Sequence, residues 1–334
     1  MLNQNLKLNS EFFSDEDERK SLRDGFGEGL VIAGEKNKNV IVLCADLEES
    51  TRVDDFARKF PERFFETGVA EQNMAAIAAG LGVSHKIPFI SSFAVFSPGR
   101  NWEQIRTTIA YNKSNVKIAG HHAGVAVGED GATHQALEDV ALMRVMPNMT
   151  VLCPCDAIEA KKAALAAAEI NGPVYIRLGK QPLRALTTED TPFNVGRAEI
   201  FWEPKAGIAP QCAIIACGSL VGSAILAAKE LEDEDIHVIV LNIHTIKPID
   251  LKRIIEIVER TGAVVTVEEH QIAGGMGSAV AEVLAENYPV PIEFIGVDDV
   301  FGESGKGDEL IEKYGMGVRN IKEAAKKVLK RKVN

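Results

Sequence analysis

Residues 14–45, SDEDERKSLRDGFGEGLVIAGEKNKNVIVLCA, decide the class of fold. Ser14 followed by Asp15, Glu16 and Asp17 reads as a helix start, with acids in the first turn where they complement the backbone dipole. The helix is expected to run to about Glu35, where Lys36-Asn37-Lys38-Asn39 breaks it, and VIVLCA at 40–45 is then a buried strand. The alternation continues outward. Strands are expected at 64–66, 87–91, 116–120, 150–153 and 174–177, with helices near 70–82, 99–111, 136–144 and 156–170 between them. Short apolar runs alternating with longer amphipathic or Ala-rich segments are the pattern of helices covering a mainly parallel sheet. The class is α/β, and the first unit is doubly wound.

From 185 to 210 the pattern stops: ALTTEDTPFNVGRAEIFWEPKAGIAP mixes Pro, Gly, Thr and charges without a sustained period, as a surface crossover would. Beyond it AIIAC, HVIVL, AVVTVE and IEFIGV are four strands alternating with helices near 219–232, 250–260, 277–287 and 318–331, a second and smaller doubly wound unit. The expected division is therefore 14–186, a connection at 187–210, and 211–334. The Ala-rich stretch at 160–168 reads as close packing of a helix on the sheet rather than as a repeat.

A length of 334 residues suits two such units, each able to bury a core. Hydrophobic residues at 46% and charged ones at 25% are those of an ordinary folded chain and exclude disorder. The net charge of -11 argues against binding nucleic acid or anionic membrane by bulk electrostatics, so an anionic ligand must be held by a local site. No apolar run approaches the ~18 residues of a membrane span, and MLNQNLKLNSEFFSDEDERK contains no secretory h-region, so a cytoplasmic protein is expected. Cys44, Cys153, Cys155, Cys212 and Cys217 show neither CxxC nor zinc spacing and read as reduced core thiols.

Four stretches could carry chemistry. In FFETGVAEQNMAAIAAGLG (64–82), Glu71 opens a helix among small apolar residues. A carboxylate there can simply complement the helix dipole. Its apolar flanks, however, predict burial, and a buried acid needs a partner or a proton, which makes it a candidate proton relay to a ligand nitrogen. In PFISSFAVFSPGRNWEQIR (88–106), a strand delivers Phe93 and Phe96 to its carboxyl end, where open α/β sheets bind ligands and a ring could stack on a flat heterocycle. Both rings could equally be core. HHAGVAVGEDGATHQALEDV (121–140) gathers His121, His122, Glu129, Asp130 and His134 on a Gly-rich stretch between a strand and a helix. A loop so rich in titratable groups has no packing purpose; it is neither a Walker loop nor a metal motif, and polar handling of a substrate fits it better. In VVTVEEHQIAGGMGSAVAEVL (264–284), His270 and Gly274–Gly277 offer either a nucleotide-type loop or close backbone packing.

The order ERKSL, LCADLEEST, GVAEQNMAA, SSFAVF, GEDGATHQALED, TIKPID and EEHQIAGGMGS resembles the C-terminal half of transketolase over nearly the whole chain. The resemblance implies a pyrimidine-binding domain of a thiamine diphosphate enzyme followed by the smaller transketolase C-terminal domain. It implies that Glu71 hydrogen-bonds the aminopyrimidine ring nitrogen and favours the imino tautomer, that Phe93 and Phe96 line the ring pocket with Phe96 as the stacking ring, and that Asp46 lies near the cofactor. His122, Asp130 and His134 match groups that touch sugar hydroxyls, with His122 and His134 counted as catalytic beside Glu71. Arg19 and Ser50 match holders of a sugar phosphate, and Lys180 stands where the family has a further arginine, a point charge in place of a bidentate contact. Gly99 stands where full-length transketolases carry a tyrosine, so the aromatic wall is thinner or rebuilt.

The family's GDG motif and downstream Asn, which hold diphosphate and a divalent metal in the preceding domain, are absent from this sequence. No metal ligands are therefore assigned to this chain. A split transketolase follows, in which an N-terminal subunit supplies the diphosphate and Mg²⁺ site and pairs in an α2β2 assembly; a long N-terminal truncation is the other explanation. The implied reaction is transfer of a two-carbon ketol unit from a ketose (phosphate) to an aldose (phosphate). The rivals are the β subunit of a 2-oxoacid dehydrogenase, a 1-deoxy-xylulose-5-phosphate synthase-like enzyme, and a non-catalytic partner subunit. GEDGATHQ with His122 favours the sugar enzyme, because a keto acid needs no row of hydroxyl-binding groups.

Overall fold

The computed structural model describes residues 1–14 and 19–332. In chain order the elements are β1 (Arg19–Ser21), α1 (Leu22–Lys36), β2 (Val40–Cys44), α2 (Asp54–Lys59), β3 (Phe64–Glu66), α3 (Glu71–Val83), β4 (Ile87–Phe93), α4 (Trp102–Gln104), β5 (Lys117–His121), α5 (Asp139–Arg144), β6 (Thr150–Leu152), α6 (Ala157–Glu169), β7 (Val174–Arg177) and β8 (Pro182–Arg184). There follow β9 (Glu199–Trp202), β10 (Cys212–Ala216), α7 (Val221–Glu232), β11 (Val238–Asn242), β12 (Thr245–Lys247), α8 (Leu251–Thr261), β13 (Val264–Gln271), α9 (Met276–Asn287), β14 (Ile292–Val297), α10 (Gly307–Lys313) and α11 (Val318–Arg331).

Among the described residues the larger sheet has the order β12-β6-β7-β5-β4-β2-β3 and the smaller one β14-β13-β10-β11-β9. Every neighbouring pair is parallel except β12 on β6 and β9 on β11. β2, β4 and β5 are buried along their whole length, as strands covered on both faces must be, which is why VIVLC carries no polar alternation. All five cysteines are buried free thiols.

Three expectations are corrected. The first helix begins at Leu22, not Ser14: Arg19–Ser21 is a strand paired antiparallel with Pro182–Arg184, and the Asp24 carboxylate accepts the Ser21 backbone N–H at 3.2 Å, closing the helix start there. The expected acidic start at Asp15–Asp17 lies outside the described residues. Second, the stretch read as a patternless crossover contains β9, whose Ile200, Phe201 and Trp202 are buried against the second sheet. A four-residue strand between Pro-rich turns is too short to show a period. Third, the helix expected over 99–111 begins at Trp102 and continues as a π-helical segment, Ile105–Ala110.

The Ala-rich helix packs closely on another helix as well as on the sheet. A Cβ on Gly25 of α1 would lie 1.8 Å from the Ala157 carbonyl oxygen, and one on Gly29 would lie 2.5 Å from that of Lys161, so α1 and α6 touch backbone to backbone. The two sheets also exchange a strand, since β12 follows β11 in the chain but pairs with β6 of the other sheet. This places the carboxyl end of β13 against the loop after β5, where Glu269 accepts the Ala126 N–H.

Candidate active site at the carboxyl edge of the larger sheet

β3, β2, β4 and β5 are adjacent in the larger sheet, and residues just beyond their carboxyl ends are Glu71, Asp46, Phe96 and His122. Parallel topology thus brings four of the sequence-predicted groups to one edge, the ordinary binding edge of such sheets. Asp46 and His122 both take left-handed backbone conformations, with φ of 58° and 53°. Such angles are uncommon outside glycine and concentrate where a side chain must be aimed.

Glu71 is 1% exposed although it opens α3. Its carboxylate accepts hydrogen bonds from one guanidinium nitrogen of Arg100 at 2.8 and 2.7 Å, and its backbone carbonyl accepts Asn101 Nδ2 at 3.1 Å. Arg100 also lies over the Phe96 ring, 4.6 Å from its centroid. The aromatic groups continue from there: Phe96 stacks on Phe93, Phe93 stacks on His122 with centroids 3.9 Å apart, and His134 meets Phe96 edge-on at 5.4 Å. One residue beyond Gly99, it is the Arg100 side chain that covers the Phe96 ring. A side chain at Gly99 has no room, because its Cβ would lie 2.0 Å from the Val95 carbonyl oxygen.

His122 is pulled down to about 3, first by burial and then by the charges of Arg23 and Lys180, so its imidazole is neutral across the physiological range. The same burial lowers His121, whose Nε2 lies 3.0 Å from the Ser91 hydroxyl. Burial raises Asp130, but the hydrogen bond and charge of Lys180 together with its other neighbours outweigh it and lower it overall; Lys180 Nζ donates to it at 3.1 Å and to the Val127 carbonyl at 3.1 Å. Arg23, missed in the sequence, donates to the Ser50 carbonyl at 3.0 Å and shares a groove of about 440 Å³ with Arg52, Lys180 and Lys306. Arg19 does not join it; it is exposed on β1 and lines the neighbouring groove with Arg184. Neither Arg23, in the first turn of α1, nor Arg100, in the turn before α4, stood out in the sequence, since a lone arginine reads as a solvated surface charge.

Ser92 Oγ, Asn101 Oδ1 and His122 Nδ1 are buried without a hydrogen-bond partner. Orphaned polar atoms beside a buried carboxylate and an aromatic shelf fit a flat, nitrogen-rich ring. No group of three or more His, Cys, Asp or Glu among the described residues is placed to hold a metal ion. No helix among them is long and apolar enough to cross a membrane.

The Gly274–Gly277 turn does not offer a nucleotide loop. Glu268 already fills it: its carboxylate accepts the N–H groups of Met276 and Gly277 at 2.7 and 2.8 Å, and a Cβ on Gly275 would lie 2.2 Å from it. The start of α9, where a phosphate would sit, is taken by the chain's own acid. His270 is equally buried, with Nδ1 2.7 Å from the Gln271 carbonyl.

An α/β chain of two mainly parallel sheets, with a buried acid and an aromatic shelf at one carboxyl edge, has the arrangement of an α/β enzyme that binds its ligand there. The chain belongs to the transketolase family: residues 18–185 match the transketolase pyrimidine binding domain and 205–321 the transketolase C-terminal domain. Membership implies use of thiamine diphosphate. A candidate transketolase C-terminal section of Methanocaldococcus jannaschii is 45% identical over 90% of this chain and 94% of its own length. A 6-deoxy-6-sulfo-D-fructose transketolase subunit of Clostridium sp. is 40% identical over 93% of this chain and 95% of its own. A split-gene transketolase solved as an inactive β4 tetramer superposes with a TM-score of 0.87 at 48% identity, covering 94% of this chain and 99% of that one. Against human transketolase the chain is 34% identical over 91% of its length and spans 48% of the relative. These similarities favour transketolase over the dehydrogenase and synthase alternatives.

Proposed function

We propose that this chain is the C-terminal subunit of a split transketolase, active with an N-terminal subunit that carries the GDG motif, its downstream Asn and the Mg²⁺ ligands, in an α2β2 assembly. The division into units at 14–186 and 211–334 joined by 187–210 belongs to the same reading; the family matches at 18–185 and 205–321 support two units, while β9, inside the connection, pairs with the second sheet. The observation that carries the reading is the buried Glu71 carboxylate beside the Phe96–Phe93–His122 shelf. When bound, thiamine diphosphate supplies the nucleophilic carbon and the electron sink for ketol transfer. Glu71 holds the pyrimidine ring nitrogen and the proton exchanged there; Phe96 orients the ring's face; Phe93 supports Phe96 and His122 from behind; Asp46 lies near the cofactor at the end of β2. His134 and the neutral imidazole of His122 exchange protons with the sugar oxygens, and Asp130 accepts from a hydroxyl.

Lys180 and Ser50 are the proposed holders of an anionic sugar end, with Arg23 in the same groove as Lys180 and bonded to the Ser50 carbonyl; Arg19, the third holder the resemblance implied, lies in the adjoining groove. The relatives named for a sulfo-sugar and for apulose 4-phosphate support an anionic substrate without fixing which one. The test is ketol transfer from xylulose 5-phosphate to ribose 5-phosphate with thiamine diphosphate and Mg²⁺, using this chain alone and then with a partner bearing GDG and Asn. Transfer by the pair only is the expected result. A pair that binds cofactor but transfers acyl groups from pyruvate, and no ketol from any sugar, would replace this reading with the 2-oxoacid one.

A further inference from the structure

Arg100 holds both things that an aminopyrimidine ring would need. Its guanidinium donates to the two oxygens of Glu71 at 2.8 and 2.7 Å, and its central carbon lies 4.6 Å from the centroid of Phe96. A guanidinium is planar and cationic and presents N–H donors along a flat N–C–N edge. An aminopyrimidine ring is likewise flat and, with a proton on the one ring nitrogen that faces an acid, presents a single N–H to it, as one nitrogen of Arg100 does to both oxygens of Glu71. We propose, resting on the reading of Glu71 given above, that Arg100 is a built-in stand-in for the cofactor's pyrimidine ring, occupying the ring's acid partner and stacking face in the cofactor-free subunit and leaving both when the ring enters.

The surroundings suit a side chain that leaves while its backbone stays. The Arg100 N–H donates to the Phe96 carbonyl at 2.8 Å. Next to it, Asn101 Nδ2 ties the turn to the Glu71 carbonyl and to the Ser97 hydroxyl, both at 3.1 Å. The Arg100 side chain is 47% exposed while that of Glu71 is 1% exposed, so the arginine covers the acid and can withdraw into water without disturbing the core. A buried carboxylate with no partner is costly, and the arginine supplies that partner until the ligand does. With Glu71 already engaged, the ring must compete, and apparent affinity falls by the fraction of molecules in which the arginine has withdrawn.

The test is calorimetric titration of thiamine diphosphate into the two-subunit complex at saturating Mg²⁺, comparing wild type with Arg100→Met, which keeps the length but cannot donate. If the covered arrangement dominates by about ten to one, Arg100→Met tightens the apparent Kd by about tenfold. In a Glu71→Gln background, where the charge pairing is gone, the same substitution has a smaller effect. Should Arg100→Met fail to fold, Arg100→Lys, which keeps the charge but cannot lie flat on Phe96, tightens binding by a smaller factor. Binding by wild type with unchanged or weaker affinity in the Arg100 variants overturns the role of Arg100 alone. Absence of thiamine diphosphate binding by wild type and variants alike overturns the reading of Glu71 and this proposal with it.

Discussion

Glu269, at the end of β13, accepts the backbone N–H of Ala126 at 2.7 Å, so an acid of the second sheet holds the loop that carries His122, Asp130 and His134. Its other oxygen accepts the Ser219 hydroxyl at 2.6 Å, and burial raises its pKa against the lowering charge of Arg177. Arg177 in turn donates to Asp139 and, at 2.7 Å, to the Glu269 carbonyl. Glu269→Ala would leave two buried donors unpaired, at a cost of about 2–3 kcal/mol. The expected outcome is faster amide exchange at Ala126 and a raised KM for the sugar, with thiamine diphosphate affinity in the complex changed far less. Equal loss of both affinities would mean that Glu269 supports the fold at large and not the loop.

Glu71→Gln should lower turnover severely and leave the fold intact. The amide is isosteric and still accepts from Arg100, but it cannot exchange a proton with a ring nitrogen. A proton-transfer group of this kind contributes about 10²–10⁴-fold. Steady-state rates of the complex, beside circular dichroism of the variant, check it; full activity in a folded Glu71→Gln protein would remove the acid from the mechanism.

Gly25 and Gly80 are both helical glycines, and substitution by Ala should have opposite signs. At Gly80 nothing lies within 4 Å of the added Cβ, so the variant gains helix propensity of about 0.5–1 kcal/mol. At Gly25 the Cβ would meet backbone, the Ala157 carbonyl oxygen at 1.8 Å, which cannot swing aside. Overpacking of about 1–3 kcal/mol or more then outweighs the propensity gain. Thermal unfolding of the isolated chain should show Tm rising for Gly80→Ala and falling for Gly25→Ala.

The elements legible in the sequence were those whose stability is local. VIVLC announces itself because β2 is covered on both faces, and Glu71 announced its burial through the alanines around it. β1, β8 and β12 are three residues each and exist only because a distant partner pairs with them, so no window around Arg19 or Thr245 contains the cause. Arg100 was invisible for a similar reason. Its direction is set by a turn in which Gly99 lies against Val95, and its partner belongs to another helix. The Gly274–Gly277 turn was ambiguous until the Glu268 carboxylate was located in it; glycines at a helix start leave room for an anion without saying whose anion it is.

Glu159 should make the chain less stable as pH rises. It is fully buried beneath the connection between the two sheets, where burial, and then the neighbouring charge of Asp156, raise its pKa from 4.5 to about 7. Between those values the folded state binds a proton that the unfolded state does not, so stability falls as pH rises through the window and the loss is complete above about 7. At 1.36 kcal/mol per pKa unit the loss is of the order of 3 kcal/mol. Glu159→Gln should remove it, because the site can satisfy an amide. The retained oxygen accepts the Cys155 N–H, as Oε2 does now at 2.8 Å. The new N–H₂ faces Asn242, which presently donates to Oε1 at 2.8 Å and whose Oδ1 has no partner; turning the Asn242 amide over makes that oxygen the acceptor. Urea unfolding at pH 5, 6, 7 and 8 should therefore show wild type and Glu159→Gln close together at pH 5 and the variant more stable at pH 8. Parallel pH profiles would mean that Glu159 keeps an ordinary carboxylate affinity for its proton in spite of its burial.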